Sequence, residues 1–169
     1  SVGNLPERGT VHTVAEDHVN PDLLFAGTEF GVFYSQDGGE NWGELTGGMP
    51  TIAVRDMEIQ RRENDLVLGT FGRGIRILDD YTPLRVSAAD VTAEAGYLFP
   101  VKDTWLYAEK AYYSYGPKGV LGASYYTAPN PHFGAIFTYH LTEAITSLKQ
   151  QRRKAERKRQ KDGEDNPYP

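Results

Sequence analysis

The chain has 169 residues, 39% hydrophobic and 24% charged, with a formal net charge of −5, enough to bury one core and ordinarily to form one domain. Without cysteine it has neither a disulfide framework nor a thiolate metal site, and no apolar run approaches the roughly 20 residues of a membrane-spanning helix. Ten basic against nineteen acidic residues in 1–148 leave an acidic body, net −9, which disfavours nucleic acid as a partner. The first residues, Ser1-Val2-Gly3, carry no initiator Met and no basic-then-apolar leader; the expectation is a fragment whose targeting signal, if any, lies upstream.

In chain order, short β-branched and aromatic runs alternate with turn residues. A first unit runs through Leu5-Pro6, Val11 to Ala15, the turn Asn20-Pro21-Asp22, Leu23 to Thr28 and Gly31 to Tyr34. A second runs through Met49-Pro50, Val54 to Ile59, the turn Glu63-Asn64-Asp65, Leu66 to Thr70 and Gly74 to Ile77. Pro6 and Pro50, and Gly27-Thr28 and Gly69-Thr70, recur at 42–44 positions, the period of a four-stranded propeller blade. The spacing predicts an all-β chain in which 9–46 and 52–86 form two adjacent four-stranded antiparallel blades packed face to face, together making a unit over 1–86. Two such units are too few to close a ring.

Between the first unit's hairpin and Gly43 stands Ser35-Gln36-Asp37-Gly38-Gly39-Glu40-Asn41-Trp42, with the spacing Ser-x-Asp-x-Gly-x-x-Trp. Gly38-Gly39 supply the positive φ that a tight reversal needs, Asp37 can accept from the N–H groups of its own turn, and Trp42 folds back on the sheet. The second unit has Leu78-Asp79-Asp80-Tyr81 there, followed by Thr82-Pro83 and no Gly-x-x-Trp; it reads as a degenerate last blade, with Pro83 ending or edging a strand.

The Ser35–Trp42 pattern resembles the Asp box of the BNR-repeat β-propellers. With Gly27 to Phe33, Gly69 to Ile75, Leu78-Asp79-Asp80 and Asn130 to Ala135, residues 3–140 look like the end of a propeller in large secreted bacterial proteins of the sortilin-like or "glycosyl hydrolase, BNR repeat" type. Two positions depart from it: Phe71 stands where that family commonly has His, and His132 where it has Pro. The resemblance implies a structural role for Ser35, Asp37, Gly39 and Trp42, and an extracellular or periplasmic location. It also implies partners in the remaining blades of a longer protein.

Residues 87–134 read as a connecting region. Its aromatics, Tyr97, Phe99, Trp105, Tyr107 and Tyr112-Tyr113-Ser114-Tyr115, suit either a seam against the blade or a stacking face for sugars, the seam being favoured; Tyr115 to Gly119 and Ala128 to Pro131 punctuate loops. Ala135 to Leu141 alternates as one strand, and the resemblance implies that it opens a following β-sandwich-like module whose partner strands lie outside the chain. Thr142 is the expected N-cap of a basic helix over 143–161, within a tail at 142–169 whose end is disordered, packing through Ile145 and Leu148 only.

Glycoside hydrolysis needs two carboxyls facing one cleft. Glu29, Asp56, Glu58, Asp79 and Asp80 are the acids at blade positions; Asp56 and Glu58 share a polar strand face, and Asp56 is the weak catalytic candidate. Arg55, Arg73 and Arg76 show no distinguishing spacing, His12, His18, His132 and His140 show none of a metal site, and no phosphate-binding motif appears, so neither metal nor cofactor is expected. The expected function is a non-catalytic scaffold or a surface for protein or glycan. The alternative is part of a glycoside hydrolase of the BNR-repeat or xyloglucanase type.

Overall fold

A computed structural model describes residues 3–108 and 132–163. The expected aromatic cluster at 112–115 and the loops at 115–119 and 128–131 lie outside the described residues. The fold is mostly antiparallel β-sheet with one C-terminal helix, and among the described residues no ring or barrel closes.

Strands β1 (Val11–Glu16), β2 (Leu24–Thr28), β3 (Gly31–Ser35) and β4 (Gly43–Glu44) form a meander in the order β1-β2-β3-β4. Strands β5 (Val54–Gln60), β6 (Asp65–Thr70) and β7 (Ile75–Leu78) repeat it in the order β5-β6-β7. The repetition extends to irregularities. Register slips between Val11 and Thr13 opposite Thr28–Gly27, and again between Val54 and Asp56 opposite Thr70–Gly69, leaving His12 and Arg55 as the extra residues of two equivalent bulges. In each unit one backbone bond ties the turn after the third strand to the turn before the second: Gly38 N–H to Asp22 C=O, and Tyr81 N–H to Asn64 C=O, both 2.9 Å.

The second sheet has three strands, not the expected four. In place of Gly38-Gly39 it has Tyr81-Thr82, and Asp80, at φ 48°, turns the chain into a 3-10 turn at Thr82–Arg85 with Pro83 in its first positions. Pro83 has no N–H to donate to a fourth strand. Tyr81 instead sinks into the core, edge-on to Phe25 with ring centroids 5.2 Å apart.

The sheets stack through one core: Leu23, Phe25 and Val32 from the first unit meet Val54, Met57, Leu66 and Leu68 from the second, with Tyr81 at one end. Alternation along each strand selects these residues, and burying each such side chain is worth about 1.5–3 kcal/mol. Gly27 marks the closest approach. A Cβ there would stand 2.7 Å from Thr13 Cγ2 and 3.1 Å from Val54, whereas at the equivalent Gly69 the nearest atom would be 3.5 Å away. Gly27→Ala is therefore expected to destabilise by about 1–3 kcal/mol through overpacking, with Gly69→Ala neutral or slightly stabilising. Urea midpoints of the two variants check this, and equal midpoints would contradict it.

After the 3-10 turn, α1 (Ala88–Thr92) starts at Ser87, whose Oγ accepts the Asp90 N–H. Strand β8 (Gly96–Leu98) then pairs antiparallel with β9 (Tyr139–Leu141). This corrects two expectations: the strand in 135–141 is confined to its last three residues, and its partner lies in this chain. A three-residue strand is too short for periodicity to reveal, and Gly96 leaves room for the Leu141 side chain, whose Cδ2 a Cβ there would meet at 3.3 Å.

The helix α2 (Leu148–Asp162) starts later than Thr142. Ser147 caps it, with Gln150 returning a side-chain bond to the Ser147 N–H, and a two-way box of this kind is a stronger start signal than a lone threonine. Thr142 prolongs the β8–β9 ladder instead: its N–H donates to Ala95 C=O and its Oγ to Glu94 C=O. The expected packing through Ile145 and Leu148 is absent, since they are 78% and 83% exposed. What supports α2 is local: its caps, the Gly163 stop at φ 75°, and the Arg152–Glu156 ion pair at 3.1 Å.

Candidate functional site

The sheet registers define two ends. Glu16, Leu24 and Ser35 lie at one end of the first sheet, with Gln60, Asp65 and Leu78 at the matching end of the second; Val11, Thr28 and Gly31, with Val54, Thr70 and Ile75, lie at the other.

At the first end the Ser35–Trp42 turn is a closed network. Asp37 Oδ1 accepts from Ser35 Oγ at 2.6 Å and from Asn41 N–H at 2.9 Å, and its Oδ2 accepts from the Asn41 amide at 2.8 Å. The bond from the Asn41 backbone and those from the Ser35 and Asn41 side chains hold the exposed Asp37 carboxyl down at about 2. Buried Ser35 accepts from Gly39 N–H, and Trp42 Nε1–H closes the turn on Gly39 C=O at 3.0 Å. Gly38 and Gly39 take φ values of 70° and 95°. Ser35, Asp37, Gly39 and Trp42 are thus brought together, with every oxygen of Asp37 engaged by its own turn.

Beside it is a second network that the sequence analysis passed over. The Asp17 side chain is 0% exposed and accepts from Arg85 Nε at 2.7 Å, Arg85 Nη2 at 2.8 Å, Tyr81 Oη at 2.6 Å and Asn20 N–H at 2.9 Å. Arg85 also donates to Asn64 Oδ1 and lies over the Tyr81 ring. Burial alone would raise the Asp17 pKa, but the bonds from Arg85, Tyr81 and Asn20 and the Arg85 charge outweigh it and hold the carboxyl well below its usual range. The Tyr81 hydroxyl is pushed up, first by burial and then by Asp17. Gln36 adds bonds from its amide to the Leu84 and Val86 carbonyls. All this binds the first unit to the exit of the second. The only local sign was Asp17-x-x-Asn20, an Asx-type turn; Tyr81 and Arg85 lie more than sixty residues away.

The other end is open. Arg55, on its bulge, reaches the equivalent bulge residue of the first unit, with Nη1 3.4 Å from His12 Nδ1. A guanidinium only donates, so Nδ1 accepts and Nε2 carries the hydrogen; that donor is buried and unpartnered among the described residues. Arg55 also lies over the Phe71 ring, 5.4 Å from its centroid. Phe71, 68% exposed, follows Thr70 in the β6–β7 turn with Arg73, and its N–H is tied to Ala53 C=O. The β2–β3 turn offers Glu29 and Phe30 in the corresponding place, both exposed, its shape set by Thr28 Oγ, which accepts from Phe30 N–H and donates to Gly31 C=O.

The remaining acids are dispersed. Asp56 is exposed on β5 and accepts from the adjacent Met57 N–H; Glu58 is exposed one pleat further on the same face, as its alternation implied. Asp80 ends the β7 turn by accepting from the Thr82 N–H and hydroxyl. Among the described residues no three His, Asp or Glu gather as a metal site would require, and no helix is long and apolar enough to cross a membrane. His18 stands 3.4 Å from Asp17, His140 sits in β9 opposite Tyr97, and His132 precedes that strand. Compared with known proteins, the chain matches no family model, no curated protein and no solved structure.

Proposed function

We propose that this chain is a pair of consecutive blades, the second degenerate, from a BNR-type β-propeller of an exported protein, and that it acts as a non-catalytic scaffold presenting a surface for a protein or glycan. The observation that carries this reading is the repetition itself: two meanders share a bulge, a register and a turn-to-turn staple, and stack through one core. Ile75 and Ile77 are exposed on β7 and the outer face around Gly69 is open, which supports remaining blades as partners. An extracellular or periplasmic location rests on the resemblance of the Ser35–Trp42 turn.

The non-catalytic reading is supported by how the acids are used. Asp37 is spent on its turn and Asp17 on Arg85 and Tyr81, while among the described residues Asp56 bonds its neighbour's backbone alone. The enzyme alternative predicts that Asp56→Asn abolishes hydrolysis of a glycan. The expected result on a panel of oligosaccharides is retention without cleavage, unchanged in Asp56→Asn. Chain shortening that Asp56→Asn removes would establish the hydrolase instead.

A further inference from the structure

We infer that the open end of the two sheets is a binding site for an acidic sugar chain, a polyuronate, with Arg55 as its carboxylate anchor and the Phe71 ring as its stacking platform. The inference rests on the binding-surface reading above and names the ligand class.

Three observations converge there. The first is cationic. Arg55 has no carboxylate partner among the described residues: its contacts are a histidine nitrogen and a ring face, neither of which neutralises it. Arg73, in the turn that carries Phe71, is likewise exposed and forms no ion pair among the described residues. In a chain whose 1–148 segment is net acidic, two uncompensated guanidiniums at one end of the sheets stand out against the overall charge. A planar fork of this kind matches a carboxylate with two parallel bonds.

The second is aromatic. Phe71 and Phe30 project from equivalent turns of the two units: Phe71 is 68% exposed, Phe30 is 40% exposed with its ring lying against Gly9, and neither belongs to the core clusters. Flat rings in solvent beside hydrogen-bonding groups suit the apolar face of a pyranose better than an isolated anion. The third is an acceptor. Glu29 adjoins Phe30, and sugar hydroxyls need acceptors as well as donors. A bare phosphate would use the arginines but bring no ring face to Phe71, and a polyglutamate peptide could offer Glu29 its backbone N–H groups but likewise brings no ring face. Only a ligand carrying ring faces, hydroxyls and carboxylates in one repeating unit uses all three.

The end is also built to hold position. Arg55 is aimed by a bulge that the first unit repeats at His12, and His12 then receives its Nη1. His12 is thus a positioning residue for the guanidinium. Glycines at 72 and 74, at φ 77° and 72°, with no atom within 4 Å of a would-be Cβ, leave the approach to Phe71 unobstructed.

Titration of the protein with tetragalacturonate by calorimetry tests this, with the neutral galactose tetramer and a tetraglutamate peptide as parallel probes. Saturable binding of the uronate alone is expected, with Arg55→Gln and Phe71→Ala each weakening it by at least about tenfold. Both sites are exposed, so folding should survive, and a far-ultraviolet spectrum with an unchanged urea midpoint verifies it. Arg76→Gln, on the middle of β7, should bind as the parent does. No binding, equal binding of the neutral tetramer, equal binding of tetraglutamate, or indifference to Arg55→Gln each overturns the inference while leaving the scaffold reading intact. Cleavage of the uronate with the Arg55 effect preserved overturns the non-catalytic reading and leaves the site standing.

Discussion

Asp17→Ala is expected to destabilise the chain by about 3–5 kcal/mol, because it strands a guanidinium in a half-buried position. Asp17 is fully covered and receives four hydrogen bonds, two from Arg85 and one each from Tyr81 and Asn20. Removing it takes away the 2.6 Å acceptor of the Tyr81 hydroxyl, itself in the core, and leaves only His18 Nδ1 at 3.5 Å. Asp17→Asn should cost less, since an amide oxygen still serves Tyr81 or Asn20 but no longer balances the charge. Arg85→Met combined with Asp17→Asn should cost less than the sum of the two single changes, with a coupling of about 0.5–3 kcal/mol, because neither charge is then left alone. Chemical unfolding of the four proteins measures it, and strict additivity would show that the pair does not act as a unit.

The same carboxylate fixes the sign of a pH effect. Its pKa in the folded chain lies below the value of about 4 it has when unfolded, so its stabilisation is complete above about pH 5 and is lost as pH falls towards the folded value. Asp37, held at about 2, contributes in the same direction. The parent should therefore lose stability progressively below about pH 5, and Asp17→Asn should flatten that limb, leaving the smaller slope due to Asp37 and other carboxylates. An unchanged acid limb would mean that Asp17 is not preferentially ionised in the folded state.

What could be read from the sequence depended on how local the determinants are. The two meanders follow from alternation and the recurrence of Gly27-Thr28 at Gly69-Thr70, and the Ser35–Trp42 turn is legible because the bonds among its own residues span at most four positions. Pro83 signals the missing fourth strand, but Tyr81 reads locally as turn sequence rather than core, since nothing nearby signals its contact with Phe25, fifty-six positions upstream. The Asp17–Arg85 link and the His12–Arg55 contact span 68 and 43 residues, and only the stacking of the sheets brings them together. Thr142 and Ser147 both qualify as caps in isolation. The choice was made by Glu94 and Ala95, which engage Thr142 in a ladder with a strand of three residues.

Trp42→Ala should be the costliest single change within the Ser35–Trp42 turn, at about 3–5 kcal/mol. The indole is buried against Ala26 and Phe33, with Leu5 and Leu24 around it, and forms the first sheet's second core, on the face away from the β5–β7 sheet. Its removal opens a cavity that a two-residue strand beside it, Gly43–Glu44, has little packing of its own to close. Trp42→Phe separates the ring from its hydrogen bond: most of the apolar contact remains, while Gly39 C=O loses the Nε1–H donor, so a smaller loss of about 1–3 kcal/mol is expected. Asp37→Ala should fall below Trp42→Ala, because its two bonds from Asn41 are exposed, where water substitutes for the lost acceptor, and only the bond from Ser35 Oγ is partly buried. Asp37→Asn should be milder still, since the amide oxygen continues to accept from the Asn41 N–H. Guanidinium unfolding followed by circular dichroism at the sheet minimum reads the parent and all variants alike, since the remaining Trp105, 75% exposed, is already in solvent when folded. The order Trp42→Ala, Trp42→Phe, Asp37→Ala, Asp37→Asn identifies the turn as a clasp that holds an indole over one face of the sheet. If Asp37→Ala proved as costly as Trp42→Ala, the clasp, rather than the indole it holds, would carry the stability of that face.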